Sequence, residues 1–184
     1  GEGQIRKIVS REYPIYFPHP GWSEQNPEDW FAGTMDGLKE LLDGCDRSEV
    51  AGISFGGQMH GLVMIGADGK LIRNAIIWAD QRSEKEIQKI YDITGKDTYR
   101  GTVLNSLSTG FLISSLMWVK EHEPENFEKI AKIMLPKDYL AYRLSGSFCT
   151  DVSDASGMLL LDVKNRCWSK EMMEICDVKE EQLP

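Results

Sequence analysis

The chain has 184 residues, 41% of them hydrophobic and 27% charged, and a formal net charge of −8. That is room for one sizeable domain, with the balance of a folded chain rather than a disordered one. The acidic surplus disfavours a nucleic-acid partner. No apolar run approaches the roughly 18–20 residues a membrane-spanning helix needs, and no basic-then-apolar start reads as a secretion signal.

Gly1-Glu2-Gly3 reads as the tip of a hairpin whose first strand is missing, and Ile5 to Tyr16 is rich enough in Ile, Val and Tyr for a strand. After turn chemistry at Pro18-His19-Pro20-Gly21, Asn26 caps a helix with Pro27 in its first position and Trp30, Thr34, Leu38, Leu41 and Leu42 on one face, ended by Gly44. Val50 to Ser54 reads as a short buried strand. Leu62 to Ile65 and Leu71 to Trp78 form a hairpin about the Ala67-Asp68-Gly69-Lys70 turn. Ser83 and Glu86 have capping-box spacing for a helix that stops at Gly95. Further helices run through Leu112, Leu116 and Val119, from Glu125 to Ala131, and from Pro136 to Gly146. Ile133 to Leu135, Phe148 to Ser153 and Met158 to Asp162 read as strands, and Ser169 caps a last helix near Met172. Strands mixed with helices throughout predict an α/β protein with a mixed sheet.

Cys45, Cys149, Cys167 and Cys176 form no Cys-x-x-Cys pair and no zinc-ligand spacing with His19, His60 or His122. They read as reduced thiols of a cytoplasmic protein, and no metal site is expected.

Three segments could carry chemistry. Gly56-Gly57-Gln58-Met59-His60-Gly61 follows a strand, where α/β folds place ligands. Its glycines allow close backbone approach, and Gln58 and His60 offer directional hydrogen bonds suited to a polyhydroxy compound. A phosphate loop would lead into a helix, and here a strand follows. The plainer reading is a glycine bend with a core Met and a surface His. Trp78-Ala79-Asp80-Gln81-Arg82 sets an indole, a carboxylate and a guanidinium beside each other. These can grip sugar hydroxyls, or can be a surface Asp80–Arg82 pair beside a packed Trp. In Thr150 to Gly157, a turn carboxylate can act as a general base or merely bond its own backbone.

Taken together these segments resemble the FGGY family of carbohydrate kinases, and most closely its xylulokinase branch. The resemblance rests on Pro20-Gly21-Trp22 through Trp30, Gly57 to Gly61, Ala75 to Arg82, Leu135 to Leu140, Thr150 to Gly157, Leu161-Asp162-Val163 and Trp168-Ser169, all in the family's order. It implies a ribonuclease H-like (actin-like ATPase) fold, incomplete at both ends, as most of an N-terminal sugar-binding domain. The family's opening Asp-Gly-Thr turn and its ATP-binding domain have no counterpart in residues 1–184. By matching motif, Asp154 is implied as catalytic base and Met59 and His60 as contacts to D-xylulose. Gln58, Trp78, Asp80 and Arg82 are implied around the sugar. ATP and Mg²⁺ are the implied cosubstrate and cofactor, held mainly outside these residues. Ser115 stands where the family signature usually has a lysine. Ribulose, gluconate or glycerol as the acceptor, a non-catalytic sugar-binding module, and assembly as a homodimer remain open. A ribonuclease H-like nuclease is disfavoured by the acidic balance.

Overall fold

The computed structural model describes residues 3–184, so the hairpin tip expected at Gly1-Glu2-Gly3 lies largely outside the described residues. Strand β1 (Glu24–Gln25) leads into helix α1 (Pro27–Leu41). Asn26 caps α1 by accepting the Glu28 N–H, and Pro27 sits in the first turn, where its missing N–H costs nothing.

The segment before β1 corrects the expected strand. Within Ile5 to Tyr16 the structure shows pairing only at Tyr16, which bridges Glu24, and Ile5 and Ile8 are each 78% exposed. Side chains hold this segment against α1 instead. Lys7 Nζ donates to the Glu40 carbonyl at 2.5 Å, and Arg11 pairs with Asp36 and Glu40. Strand propensity measures fit to a pleated, half-buried surface, and no neighbouring strand among the described residues supplies one. The same correction applies to Val50 to Ser54, which is exposed and unpaired rather than a buried strand.

The hairpin forms. Strands β2 (Val63–Gly66) and β3 (Ala75–Ile76) flank it, Ile65 bridges Leu71, and Leu62 bridges Ile76. Gly69 takes φ +75° in the turn, which favours glycine. Strand β4 (Ile130–Met134) pairs antiparallel with β2, and β1 pairs antiparallel with β3. Both faces of β2 are covered. Leu62 and Met64 enter one core with Ile76, Leu112, Leu116 and Ile133, while Val63 and Ile65 enter another with Trp30, Ile77, Met134 and Tyr139.

Helices α2 (Glu84–Thr94), α3 (Lys96–Val103) and α4 (Leu112–His122) follow the hairpin. The Ser83 side chain makes no cap; its hydroxyl bonds that of buried Ser114 at 3.0 Å. Ser115 is also fully buried, in the middle of α4. The expected helix from Glu125 to Ala131 shrinks to the single turn α5 (Pro124–Phe127), because Ile130 begins β4 and pairing with β2 overrides local helical spacing. Helix α6 (Pro136–Ser145) ends at Gly146 as expected.

Phe148 to Ser153 is not a strand. Asp151 accepts the N–H groups of Ser153 and Asp154 and so caps the one-turn helix α7 (Val152–Ala155). Strands β5 (Leu161–Asp162) and β6 (Cys167–Trp168) pair antiparallel, and Ser169 caps α8 (Lys170–Cys176). The protein is α/β. The expected mixed sheet is represented, among the described residues, by three antiparallel two-stranded pairs. The four cysteines are free thiols, and no helix among the described residues is long and apolar enough to cross a membrane.

Candidate active site

The glycine-rich loop packs on the start of α6. A Cβ on Gly57 would come within 3.1 Å of Lys137 Cβ, and one on Gly61 within 2.8 Å of the Pro136 ring. Close approach, rather than turn geometry, is what these two glycines supply. Between them His60 holds φ +68°, a left-handed conformation that His visits more readily than most residues. Its ring is fixed on two sides. Nδ1 lies 3.0 Å from the Gly157 carbonyl, and the Phe111 ring is 3.8 Å away centre to centre. A carbonyl can only accept, so Nδ1 carries the proton and Nε2 of the neutral ring is left as an acceptor. Met59 beside it is 59% exposed, large and apolar at the surface.

The Gly157 carbonyl belongs to the turn that follows α7, so His60 and Asp154 are held by one short stretch of backbone. Asp154 is mostly buried, with 16% of its side chain exposed. Its closest cation is Lys137, 3.5 Å away, which also pairs with Asp138 at 2.5 Å and Asp151 at 2.9 Å. Burial raises the Asp154 carboxyl above the ordinary aspartate value against the opposing pull of Lys137, with Asp138 and Asp151 adding to the rise. Asp151 moves the other way. Hydrogen bonds from Ser153 and Lys137 hold it below the usual carboxylate range. Burial alone would lower Lys137, but its bonds to Asp138 and Asp151 overcome that and hold it protonated. One ammonium therefore faces three carboxylates, and Asp154, on α7, is held more basic than Asp151, which caps that helix. Lys137 went unassigned in the sequence, although it lies in the Leu135 to Leu140 segment and at the start of a proline-opened helix, where a cation is unusual.

The remaining candidates divide. Trp78 is exposed, and its backbone is crowded by Gly110, which at φ +73° has no room for a Cβ beside the Trp78 carbonyl. Gly110 also precedes Phe111, so one bend supports both the Trp78 backbone and the His60 ring. Gln58 turns inward and donates to Gln25 Oε1 at 2.6 Å, an oxygen that also accepts from Trp30 Nε1.

Asp80 and Arg82 are a pair, but a buried one. Asp80 accepts from Ser23 N at 2.6 Å and from Arg82 N and Nε at 2.9 Å. Arg82 also reaches Glu24 at 2.8 Å, and its guanidinium lies 3.8 Å over Trp22 and 4.9 Å from Trp118. Arg73 closes the network by pairing with Glu24 and Glu123. The structure thus brings His60, Met59 and Asp154 to one region and turns the charged groups of Asp80 and Arg82 into the interior beneath Trp22.

Known proteins resemble the chain along its whole length. A xylulose kinase of Staphylococcus xylosus is 40% identical over 171 residues, 93% of this chain and 35% of that protein. A crystal structure titled as a xyloylose kinase from Brucella ovis superposes with a TM-score of 0.88 at 34% identity, covering 94% of this chain and 36% of the other. One titled as gluconate kinase from Lactobacillus acidophilus gives 0.89 at 30% identity, covering 96% and 36%. The chain therefore spans little more than a third of the length of the relatives it matches. Residues 1–184 match the N-terminal domain of the FGGY family of carbohydrate kinases, and the chain belongs to that family.

Proposed function

We propose that the protein containing this chain phosphorylates D-xylulose with ATP to give D-xylulose 5-phosphate, and that this chain supplies the sugar site and the base. The observation that carries the proposal is the joint anchoring of His60 and the turn after Asp154 through the Gly157 carbonyl at 3.0 Å. It sets an imidazole and a carboxylate of raised proton affinity on one support.

An aspartate is too weak a base to ionise a free alcohol. Phosphoryl transfer has a loose transition state, so the proton leaves late, once the new O–P bond is forming. Asp154 orients the terminal hydroxyl and receives its proton at that point. Burial, which raises its proton affinity, makes that acceptance more favourable than at an exposed aspartate. His60 Nε2 accepts from a second hydroxyl, and Met59 and Trp78 offer apolar surface to the carbon skeleton. Gln58, Asp80 and Arg82 serve by holding the strand ends that present these groups.

The residues around Asp154 do not suit a triphosphate. Three carboxylates face the one ammonium of Lys137, and the glycine loop leads into β2 rather than into a helix N-terminus. ATP and Mg²⁺ are assigned to other parts of the protein, and a cytoplasmic setting is assigned with them.

The test is phosphorylation of D-xylulose, ribulose, gluconate and glycerol by the full-length protein, wild type beside Asp154→Asn. Xylulose preferred, with turnover reduced about 10²–10⁴-fold in the variant and sugar binding kept, is the expected result. Gluconate preferred would replace xylulose as the acceptor in this proposal. Sugar binding without turnover would make this a binding module, and an unchanged rate in the variant would return Asp154 to a plain turn residue.

A further inference from the structure

Away from the sugar site, Glu86 of α2 is 1% exposed, yet neither of its carboxylate oxygens has a hydrogen-bond partner. A buried carboxylate ordinarily has its oxygens satisfied, because leaving them bare costs more than almost any neutral group. The groups it faces lie at the end of α4. His122 Nε2 is 3.6 Å from Glu86 Oε1, and one ligand atom each from Glu86, Glu121 and His122 lie within 4.8 Å of one another.

We propose that Glu86, Glu121 and His122 bind a divalent transition-metal ion of the zinc class, tying α2 to α4. Ligands at about 2.0–2.2 Å from a tetrahedral ion sit roughly 3.4 Å apart, close to the observed His122–Glu86 separation. One imidazole with two carboxylates suits Zn²⁺ or Co²⁺, whereas Mg²⁺ and Ca²⁺ favour oxygen alone. The fourth position is left to water. Glu121 at present pairs with Lys89 and must release it, which sets a lower affinity than a cluster free of cations would have. The His122 ring is already oriented, stacked on Trp118 with centres 4.9 Å apart. Reading cysteine and histidine spacing misses such a site, because two of its three ligands are glutamates and they come from separate helices.

The test is Co²⁺ titration of the chain followed by visible absorption, with Zn²⁺ as competitor. Cys45, Cys149 and Cys167 are exposed thiols, and cobalt bound there is recognised by thiolate charge-transfer bands that a nitrogen and oxygen site lacks. The expected result is one bound ion without those bands, and quenched tryptophan fluorescence from the stacked Trp118. Glu121→Gln and His122→Asn change exposed positions and preserve the fold, and each is expected to weaken binding at least about 10-fold, the loss that even outer-shell changes bring. Glu86→Gln keeps the buried shape and is expected to weaken binding as much. Absence of binding, thiolate bands alone, or wild-type affinity in the two exposed variants would overturn the assignment.

Discussion

Replacing Arg82 with methionine tests the buried network most sharply. The side chains involved are almost wholly enclosed, 1% exposed for Arg82, 0% for Asp80 and 7% for Glu24. Methionine fills much of the space between Trp22 and Trp118 but removes the guanidinium. Glu24 keeps Arg73, and Asp80 keeps only the backbone N–H groups of Ser23 and residue 82. One carboxylate is left buried without a cation, which costs about 3–5 kcal/mol. For a chain of this size each kcal/mol is worth about 2–4 °C, so the midpoint should fall by roughly 6–20 °C. Chemical unfolding in urea, followed by tryptophan fluorescence, gives the free energy directly. Arg82→Met combined with Asp80→Asn removes both charges, and it should be less destabilised than the sum of the single variants by about 1–3 kcal/mol. A loss below about 1 kcal/mol for Arg82→Met, or strict additivity in the double variant, would refute the buried-network reasoning.

Three further outcomes follow from the geometry around Asp154 and His60. Lys137→Met takes away the cation that opposes burial, so the Asp154 carboxyl rises further and the acid limb of kcat/KM against pH for the full-length enzyme moves to higher pH; a limb that stays put or moves down contradicts this. The stability consequences have opposite signs. Asp151, held low, contributes stability that is present above the ordinary carboxyl range and is lost as pH falls through its folded value, whereas the contribution of Asp154, held high, is lost as pH rises through its own. Acid titration of the Lys137→Met variant should therefore show a smaller loss attributable to Asp151. Gly157→Ala places a Cβ 3.0 Å from His60 Nδ1 and tilts the ring off its carbonyl, so KM for the sugar should rise by up to about 10²-fold with folding retained; steady-state kinetics beside a melting curve separates the two.

The parts of the fold that are governed by local chemistry were legible in the sequence. Asn26-Pro27 opens α1, Pro136 and Gly146 bracket α6, and Ser169 caps α8, because caps and breakers act within a few residues. Strands were less legible, since they depend on partners elsewhere. Ile5 to Tyr16 and Val50 to Ser54 have strand composition and no ladder, while Ile130 lies in helical spacing and is claimed by β2. Helix α3 was missed because Gly95 both ends α2 and admits the next helix at once. At the site, glycine content marked the loop, and the order of its motifs marked the family. Position was the harder part. Nothing in Asp80-Gln81-Arg82 says that the pair is enclosed by Ser23, Glu24 and two tryptophans from elsewhere in the chain, or that Lys137 would stand among three carboxylates.

The double covering of β2 has a consequence for how the chain reaches its native state. Where one face of a strand is polar, slipping by one residue exposes the apolar set and is rejected at once. Here Leu62 and Met64 point one way and Val63 and Ile65 the other, so a one-residue slip exchanges apolar for apolar at both surfaces. Burial alone cannot tell the correct alignment from its neighbour. The discrimination falls to the turn, where the Gly66 N–H meets the Lys70 carbonyl and Asp68 accepts the Lys70 N–H, and to the irregularity between Ile65 and Gly66 opposite β4. A few polar atoms at the rim of the molecule thereby decide the alignment of a strand whose side chains are indifferent to it. Refolding errors should accordingly concentrate in chains altered at Asp68 or Gly69, even though neither residue touches the core.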